Sequence, residues 1–267
     1  MPIKLIATDI DGTFIKRNQS YDRRKFKELL QELNKRQIYF VVATGSRLSR
    51  PQKIFAPFAD QLYYVVENGA EVVGKQGIIA EDYIPREAAL KIIEILKDDP
   101  KFSKINTMIS GTKSGYITSR AHWLYRFVIR HLWSDVVEVE DFKNIDDNFY
   151  NISLHIQNEL VSYLRDLVGE HVDLVTSGRQ SLDIHQKGVN KSTGLTKLLT
   201  KLQIDPSEVA AFGDNYNDLE MLESVKYSFA MDNAVEKIKQ VSLEVVPSNN
   251  EQGVLKTIEQ ILAGKYD

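Results

Sequence analysis

At 267 residues, with 43% apolar and 27% charged side chains, the chain is long enough to bury one substantial core or two modest ones, which excludes intrinsic disorder. A formal net charge of -3 excludes the broad positive field that would hold a nucleic acid, so any bound phosphate must be gripped locally. With no cysteine, disulfides, thiolate metal sites and a cysteine nucleophile are all ruled out.

The opening Lys4-Leu5-Ile6-Ala7-Thr8 is a short apolar run that ends in acids and Gly12, as a buried parallel strand does. From Tyr21 to Arg36, Phe26, Leu29, Leu30 and Leu33 form one helical stripe, with Ser20 or Asp22 available as the N-cap. Tyr39-Phe40-Val41-Val42-Ala43, closed by Thr44-Gly45, is a second strand, and the three segments make a right-handed crossover unit. Tyr63-Tyr64-Val65-Val66 is a third strand, and Asn68-Gly69 after it reads first as a tight turn, although its place after a parallel strand also lets Asn68 face a site at the strand ends.

Between about Asp82 and Asp183 the pattern changes to period two, as with Ile152, Leu154 and Ile156, which predicts an antiparallel sheet with one covered face. Stripes at Ala89, Ile92, Ile93 and Leu96, and at Leu160, Leu164, Leu167 and Val168, supply the covering helices. Trp123, Tyr125, Phe127 and Trp133 are read as packing residues. Beyond the insertion, Leu195, Leu198, Leu199 and Leu202 stripe a helix, Val209-Ala210-Ala211-Phe212 is a strand ending in Gly213-Asp214, and further strands are expected at Phe229–Met231 and Leu243–Val246. A last helix carries Val254, Leu255, Ile258, Ile261 and Leu262. The fold class is therefore α/β: a Rossmann-like parallel-sheet core formed by residues 1–82 and 184–267, with an α+β domain inserted at 83–183.

In an open parallel sheet, ligands gather at the carboxyl ends of the strands. Here those ends carry Asp9 and Asp11, Thr44-Gly45, and Asp214 with Asn217 and Asp218, while Lys191 stands before the leucine-striped helix. Three carboxylates without histidine or cysteine point to a hard, oxygen-bound cation, with magnesium the natural choice. A lysine and a threonine hydroxyl then act as donors to phosphate oxygens, and Gly12 and Gly45 let backbone amides approach. Ser177-Gly178-Arg179, Arg120 and Lys187 are charged or polar loop positions better read as solvated, and His155 and His185 show no metal-ligand spacing.

The ordered set Asp9-Ile10-Asp11-Gly12-Thr13, Ala43-Thr44-Gly45, Lys191 and Gly213-Asp214-Asn215-Tyr216-Asn217-Asp218 resembles the haloacid dehalogenase superfamily, in particular its Cof-type sugar phosphatase branch with a large cap domain between the second and third motifs. The resemblance implies that Asp9 is a nucleophile forming an aspartyl phosphate and that Asp11 is the general acid and base. It implies Mg2+ held by Asp9, the Asp11 carbonyl and Asp214, and phosphate bound by Ile10, Thr44, Gly45, Lys191 and Asn217, with Asp218 in support. The chain departs from that pattern at Ser46, where arginine more often follows the glycine, and at Ser192, where glycine commonly follows the lysine; no role is assigned to Arg47, and Ser192 can still start a helix.

The expected activity is a magnesium-dependent phosphomonoesterase acting on small phosphorylated metabolites such as sugar phosphates, pyridoxal phosphate or flavin mononucleotide. The alternatives are a phosphomutase or phosphotransferase using the same aspartyl phosphate, or a catalytically weak sensor of such a metabolite. A receiver-type signalling protein would be much shorter and would lack the Gly213-Asp214 motif beyond the lysine. No nucleic-acid or membrane partner is expected, a cytoplasmic location is, and oligomeric state has no sequence signature. No stretch approaches the roughly 18 apolar residues of a membrane span.

Overall fold

A computed structural model of the chain describes residues 3–133, 135–177 and 181–266. The chain starts with strand β1 (Leu5–Thr8), helix α1 (Arg23–Lys35), β2 (Tyr39–Ala43), the short α2 (Ser49–Ile54), β3 (Tyr63–Val66), β4 (Glu71–Gly74) and β5 (Gly77–Glu81). There follow α3 (Arg86–Asp98), β6 (Asn106–Gly111), β7 (Gly115–Thr118), α4 (Trp123–Leu132), β8 (Val136–Val139), β9 (Phe149–His155), α5 (Asn158–Val168), β10 (Val172–Ser177) and β11 (Ser181–Gln186). The chain closes with α6 (Lys191–Leu202), β12 (Val209–Gly213), α7 (Leu219–Glu223), β13 (Tyr227–Met231), α8 (Glu236–Val241), β14 (Glu244–Val246) and α9 (Gly253–Leu262).

These elements form two compact units: one of residues 1–45, 54–80 and 190–267, the other of residues 46–53 and 81–189. In the first, an eight-stranded sheet runs β14-β13-β12-β1-β2-β3-β4-β5. From β14 to β3 all neighbours are parallel, and β4 returns antiparallel to β3. β1 is wholly buried because it is paired on both edges, with β2 and β12, which is why its sequence is apolar without alternation. α1 starts at Asp22, whose side chain accepts from the Lys25 N–H at 2.9 Å, and buries Phe26, Leu29, Leu30 and Leu33. Phe26 meets Phe14, Phe40, Phe55 and Phe58 in an aromatic cluster with ring centroids 5.1–5.6 Å apart.

The inserted unit holds a six-stranded sheet, β10-β11-β9-β6-β7-β8, antiparallel except between β7 and β8. Ile152 and Leu154 of β9 and Leu182 and Ile184 of β11 face a core shared with Ile92 and Ile93 of α3 and Leu164 of α5. The opposite face is not bare, because Met108 and Ile117 are covered by Ile129 of α4 together with Tyr125, Trp133 and Val136. The aromatic segment therefore divides: Tyr125 and Trp133 pack, whereas Trp123 is 69% and Phe127 67% exposed, contrary to the packing expected of all four. Helix periodicity explains the split, since 123 and 127 lie on one face of α4 and 125 and 129 on the other.

The units divide at 80/81 and 189/190 rather than at 82/83 and 183/184. β11 extends to Gln186 and pairs with both β10 and β9, which carries the second boundary past Asp183. Residues 46–53 group with the inserted unit through Arg47, whose guanidinium binds Asp135 at 2.7 Å and the Gly111 carbonyl at 2.9 Å, and through Ser49, whose hydroxyl donates to Asp135 at 2.6 Å. Arg47, left without a role by the sequence, is thus a buried structural anchor. Gly178 and Arg179 lie outside the described residues. Among the described residues no helix is long and apolar enough to cross a membrane.

Candidate active site

The sheet order reverses at β1: β2 and β3 follow it on one side, β12, β13 and β14 on the other. Such a reversal leaves a crevice at the carboxyl ends of the two diverging strands, and Asp9 and Asp214 are the residues that follow β1 and β12. The Asp9 N–H donates to the Phe212 carbonyl at 3.1 Å, which extends the parallel pairing up to the acid. The chain then turns sharply, with the N–H groups of Phe14 and Ile15 both donating to the Ile10 carbonyl at 3.0 Å. Gly12 has φ +81°, and a Cβ there would stand 2.3 Å from an Asp214 carboxylate oxygen, so only glycine fits.

Lys191 is the centre of the arrangement. It is the first residue of α6, capped by Asn190 in a reciprocal pair with Thr193, so the helix begins through Asn190 rather than Ser192. Its side chain is fully buried, and its ammonium donates to Asp9 Oδ1 at 2.6 Å and to Asp218 Oδ1 at 2.7 Å. A cation at a helix N-terminus opposes the helix dipole, and these two carboxylates offset that cost. The other oxygen of Asp218 accepts the N–H groups of Asp214 (2.9 Å) and Asn215 (3.1 Å), so Asp218 holds both the lysine and the loop after β12. Asp214 receives the Thr13 hydroxyl at 2.8 Å.

Thr44 is buried; its N–H donates to the Val65 carbonyl at 2.9 Å and its carbonyl accepts the Asn68 N–H at 3.1 Å. Gly45 lies against the Asn68 side chain, where a Cβ would come within 2.9 Å of Oδ1. Asn217 donates from Nδ2 to the same Asn68 oxygen at 3.1 Å. Ile10 has a fully buried side chain, while Asp11 is exposed. The structure thus gathers Asp9, Lys191, Asp214 and Asp218 directly, and joins Thr44, Gly45 and Asn217 through Asn68.

Thr13 and Asn68 join the site through Asp214 and Asn217, beyond the residues that the motifs single out. Thr13 stands within the opening motif, and Asn68 follows a parallel strand but reads first as a turn former. The turn reading holds as well: Asn68 does lie between β3 and β4.

Carboxylate oxygens of Asp9, Asp214 and Asp218 lie within 4.8 Å of one another. Three carboxylates against one ammonium leave an excess of negative charge. Burial pushes the Asp9 carboxyl well above the usual range despite Lys191, with Asp218, Asp214 and Asp11 adding to the rise. Burial, then the Asp218 charge, push Asp214 up to about 7. Burial alone would weaken the charge on Lys191, but Asp218 and Asp9 override it and hold the ammonium above the ordinary lysine value. An all-oxygen donor set carrying surplus negative charge, with Asp218 already committed to Lys191 and two amides, fits a divalent cation on the Asp9 and Asp214 side.

The haloacid dehalogenase-like hydrolase family matches residues 6–258. The chain is 32% identical over 266 residues to the 5-amino-6-(5-phospho-D-ribitylamino)uracil phosphatase YbjI of Escherichia coli K12, covering 98% of this chain and 97% of that one. It is 26% identical over 262 residues to the Bacillus subtilis 168 phosphatase YcsE of the same named activity, covering 96% and 94% of the two chains. The crystal structure of SMU.1108c from Streptococcus mutans UA159 superposes with a TM-score of 0.90 at 31% identity, over 98% of this chain and 99% of that one. With the motifs in order along one continuous match, the chain belongs to the haloacid dehalogenase-like hydrolases, in their Cof-type branch, and is a phosphatase of phosphoric monoesters.

Proposed function

We propose that this phosphatase is magnesium-dependent, acts on small phosphorylated metabolites, and passes the phosphoryl group through the Asp9 carboxylate. The observation that carries the reading is the buried Lys191 ammonium bridging Asp9 and Asp218, beside an Asp214 whose carboxyl is raised to about 7. So costly a concentration of buried charge serves no evident packing purpose and suits a site that waits for a cation and a phosphate.

An Asp9 oxygen attacks phosphorus while the bond to the leaving oxygen breaks, and Asp11 gives that oxygen its proton. Asp11, now ionised, takes a proton from water, whose oxygen attacks the aspartyl phosphate; the Asp9 oxygen departs and inorganic phosphate is released. The Ile10 and Gly45 amides, Thr44, Lys191 and Asn217 hold the equatorial oxygens, and Asp218 keeps Lys191 in place. The Asp9 and Asp214 carboxylates and the Asp11 carbonyl would hold magnesium, which when bound would supply positive charge to offset the repulsion between carboxylate and phosphate.

The substrate we favour is a phosphorylated polyol or sugar, in keeping with the phosphoribitylaminouracil phosphatases to which the chain is related. The inserted unit is the part of the chain that selects what the phosphate carries, and the protein works in the cytoplasm. Phosphate release from a panel of such esters, with magnesium and with EDTA, tests the reading. Asp9→Asn should lower turnover on the order of 10,000-fold while the protein stays folded; unchanged turnover would remove Asp9 as nucleophile.

A further inference from the structure

Glu67, Asn68 and Gly69 occupy the left-handed region in succession, with φ of 51°, 52° and 100°. Asparagine tolerates that region; glutamate does so at a cost. Connections between strands ordinarily lie on the surface, yet all three residues here are buried. Consecutive strained residues held in the interior mark a place that the surroundings over-determine.

We propose that Asn68 is a positioning residue of the phosphate site, its side chain setting the orientation of the Asn217 amide while its backbone N–H holds the Thr44-Gly45 segment; the inference rests on the phosphate-binding roles given to those residues above. The left-handed conformation lets one residue reach both. Its N–H ties down the Thr44 carbonyl at 3.1 Å, its Oδ1 accepts Asn217 Nδ2 at 3.1 Å, and its amide fills the space that a Cβ on Gly45 would need.

An asparagine amide has a donating and an accepting end, so the acceptor on Asn68 decides which end of Asn217 is committed and which way its oxygen faces. Gly69 continues the same turn against α6. A Cβ on Gly69 would stand 2.0 Å from the Asn190 carbonyl, and one on Gly194 2.7 Å from the Gly69 Cα, so the turn abuts the helix start that carries Lys191. The turn is therefore seated among the segments that carry Thr44, Lys191 and Asn217.

Asn68→Gly is the informative variant, because glycine adopts the same φ without strain and removes only the side chain. Kinetics on an aryl phosphate with magnesium are measured for Asn68→Gly, Asn217→Ala and the double variant, with thermal unfolding as the check on folding. If Asn68 acts through Asn217, Asn68→Gly lowers kcat/KM roughly 10- to 100-fold and adds no more than about two-fold in the Asn217→Ala background. A merely structural Asn68 would give losses that multiply.

The proposal is overturned by multiplying losses, by Asn68→Gly within about two-fold of wild type, or by Asn217→Ala at wild-type turnover. Should Asn68→Gly not fold, Asn68→Ser, whose hydroxyl is too short to reach Asn217, replaces it in the same cycle with the same criteria. Asp9→Asn separates the two levels: if it is inactive while the cycle fails, only the Asn68 role falls, and if it is active, the reading beneath falls too.

Discussion

Asp147 in the inserted unit and Asp9 and Asp214 in the parallel-sheet unit are all carboxylates with restricted access to water, and they have opposite electrostatic fates. Asp147 accepts the Thr112 hydroxyl, the Asn148 N–H (2.8 Å), the Lys113 N–H (2.9 Å) and the Tyr116 hydroxyl (2.9 Å), with Gly111 packed so closely that a Cβ would meet it at 2.2 Å. Burial raises its pKa, but these donors overcome the rise and hold it below the ordinary carboxylate value. Asp9 and Asp214 have Lys191 and Thr13 as donors, and like charges close by, and both are raised. Burial is thus common to both regions, and the balance of donors against like charges separates a structural acid from one suited to a cation and a phosphate.

The largest expected effect comes from removing Lys191, the cation that bridges Asp9 and Asp218. Lys191→Met leaves Asp9 and Asp218 buried and facing each other, so denaturant unfolding should show a loss of about 3–5 kcal/mol. A loss under about 1 kcal/mol, the scale of an exposed pair, would show that the site is not charge-stressed.

Next comes the pH dependence of the metal-free protein. Asp214 has a folded value of about 7 against an ordinary 3.8, so its ionised form opposes folding. Its contribution is fully favourable below 3.8 and is lost as the pH rises through about 7. In EDTA the melting temperature should therefore fall between pH 5 and pH 8 more steeply than in Asp214→Asn, and magnesium should stabilise the wild type more at pH 8. Parallel pH profiles for the two proteins would contradict this.

Asp147 should behave in the reverse sense and more weakly. Its stabilisation is present above 3.8 and is lost as the pH falls through its lower folded value. Asp147→Asn puts a donor where donors already converge and should cost about 1–3 kcal/mol in unfolding experiments, with kcat unchanged. A kcat reduced ten-fold or more would mean that Asp147 is not merely structural.

The parallel-sheet side of this contrast is legible along the chain, but unevenly, and Asp147 is not legible at all. The opening motif, the strand end at Thr44-Gly45 and the acids after Phe212 stand out because parallel strands are continuously apolar and end abruptly in polar turns. Lys191 was legible as an exception, a cation at a helix start. Arg47 was not, because its partner Asp135 lies 88 residues away and neither belongs to a local pattern. Trp123 and Phe127 misled for a different reason: an aromatic-rich helix has two faces, and sequence does not say which one the sheet covers. Asn68 was read as a turn former, and its link to Asn217 spans 149 residues.

The sequence by itself determined the apolar strands of the parallel core, several of the helices that cover them, the change to an antiparallel insertion and the gathering of carboxylates at strand ends, because periodicity and residue type are local properties. Only the tertiary structure shows which contacts each acid makes. Asp218 spends both oxygens on Lys191 and two backbone amides, which leaves Asp9 and Asp214 as the pair suited to a cation, and that division depends on contacts among β1, β12 and α6 that no local pattern encodes.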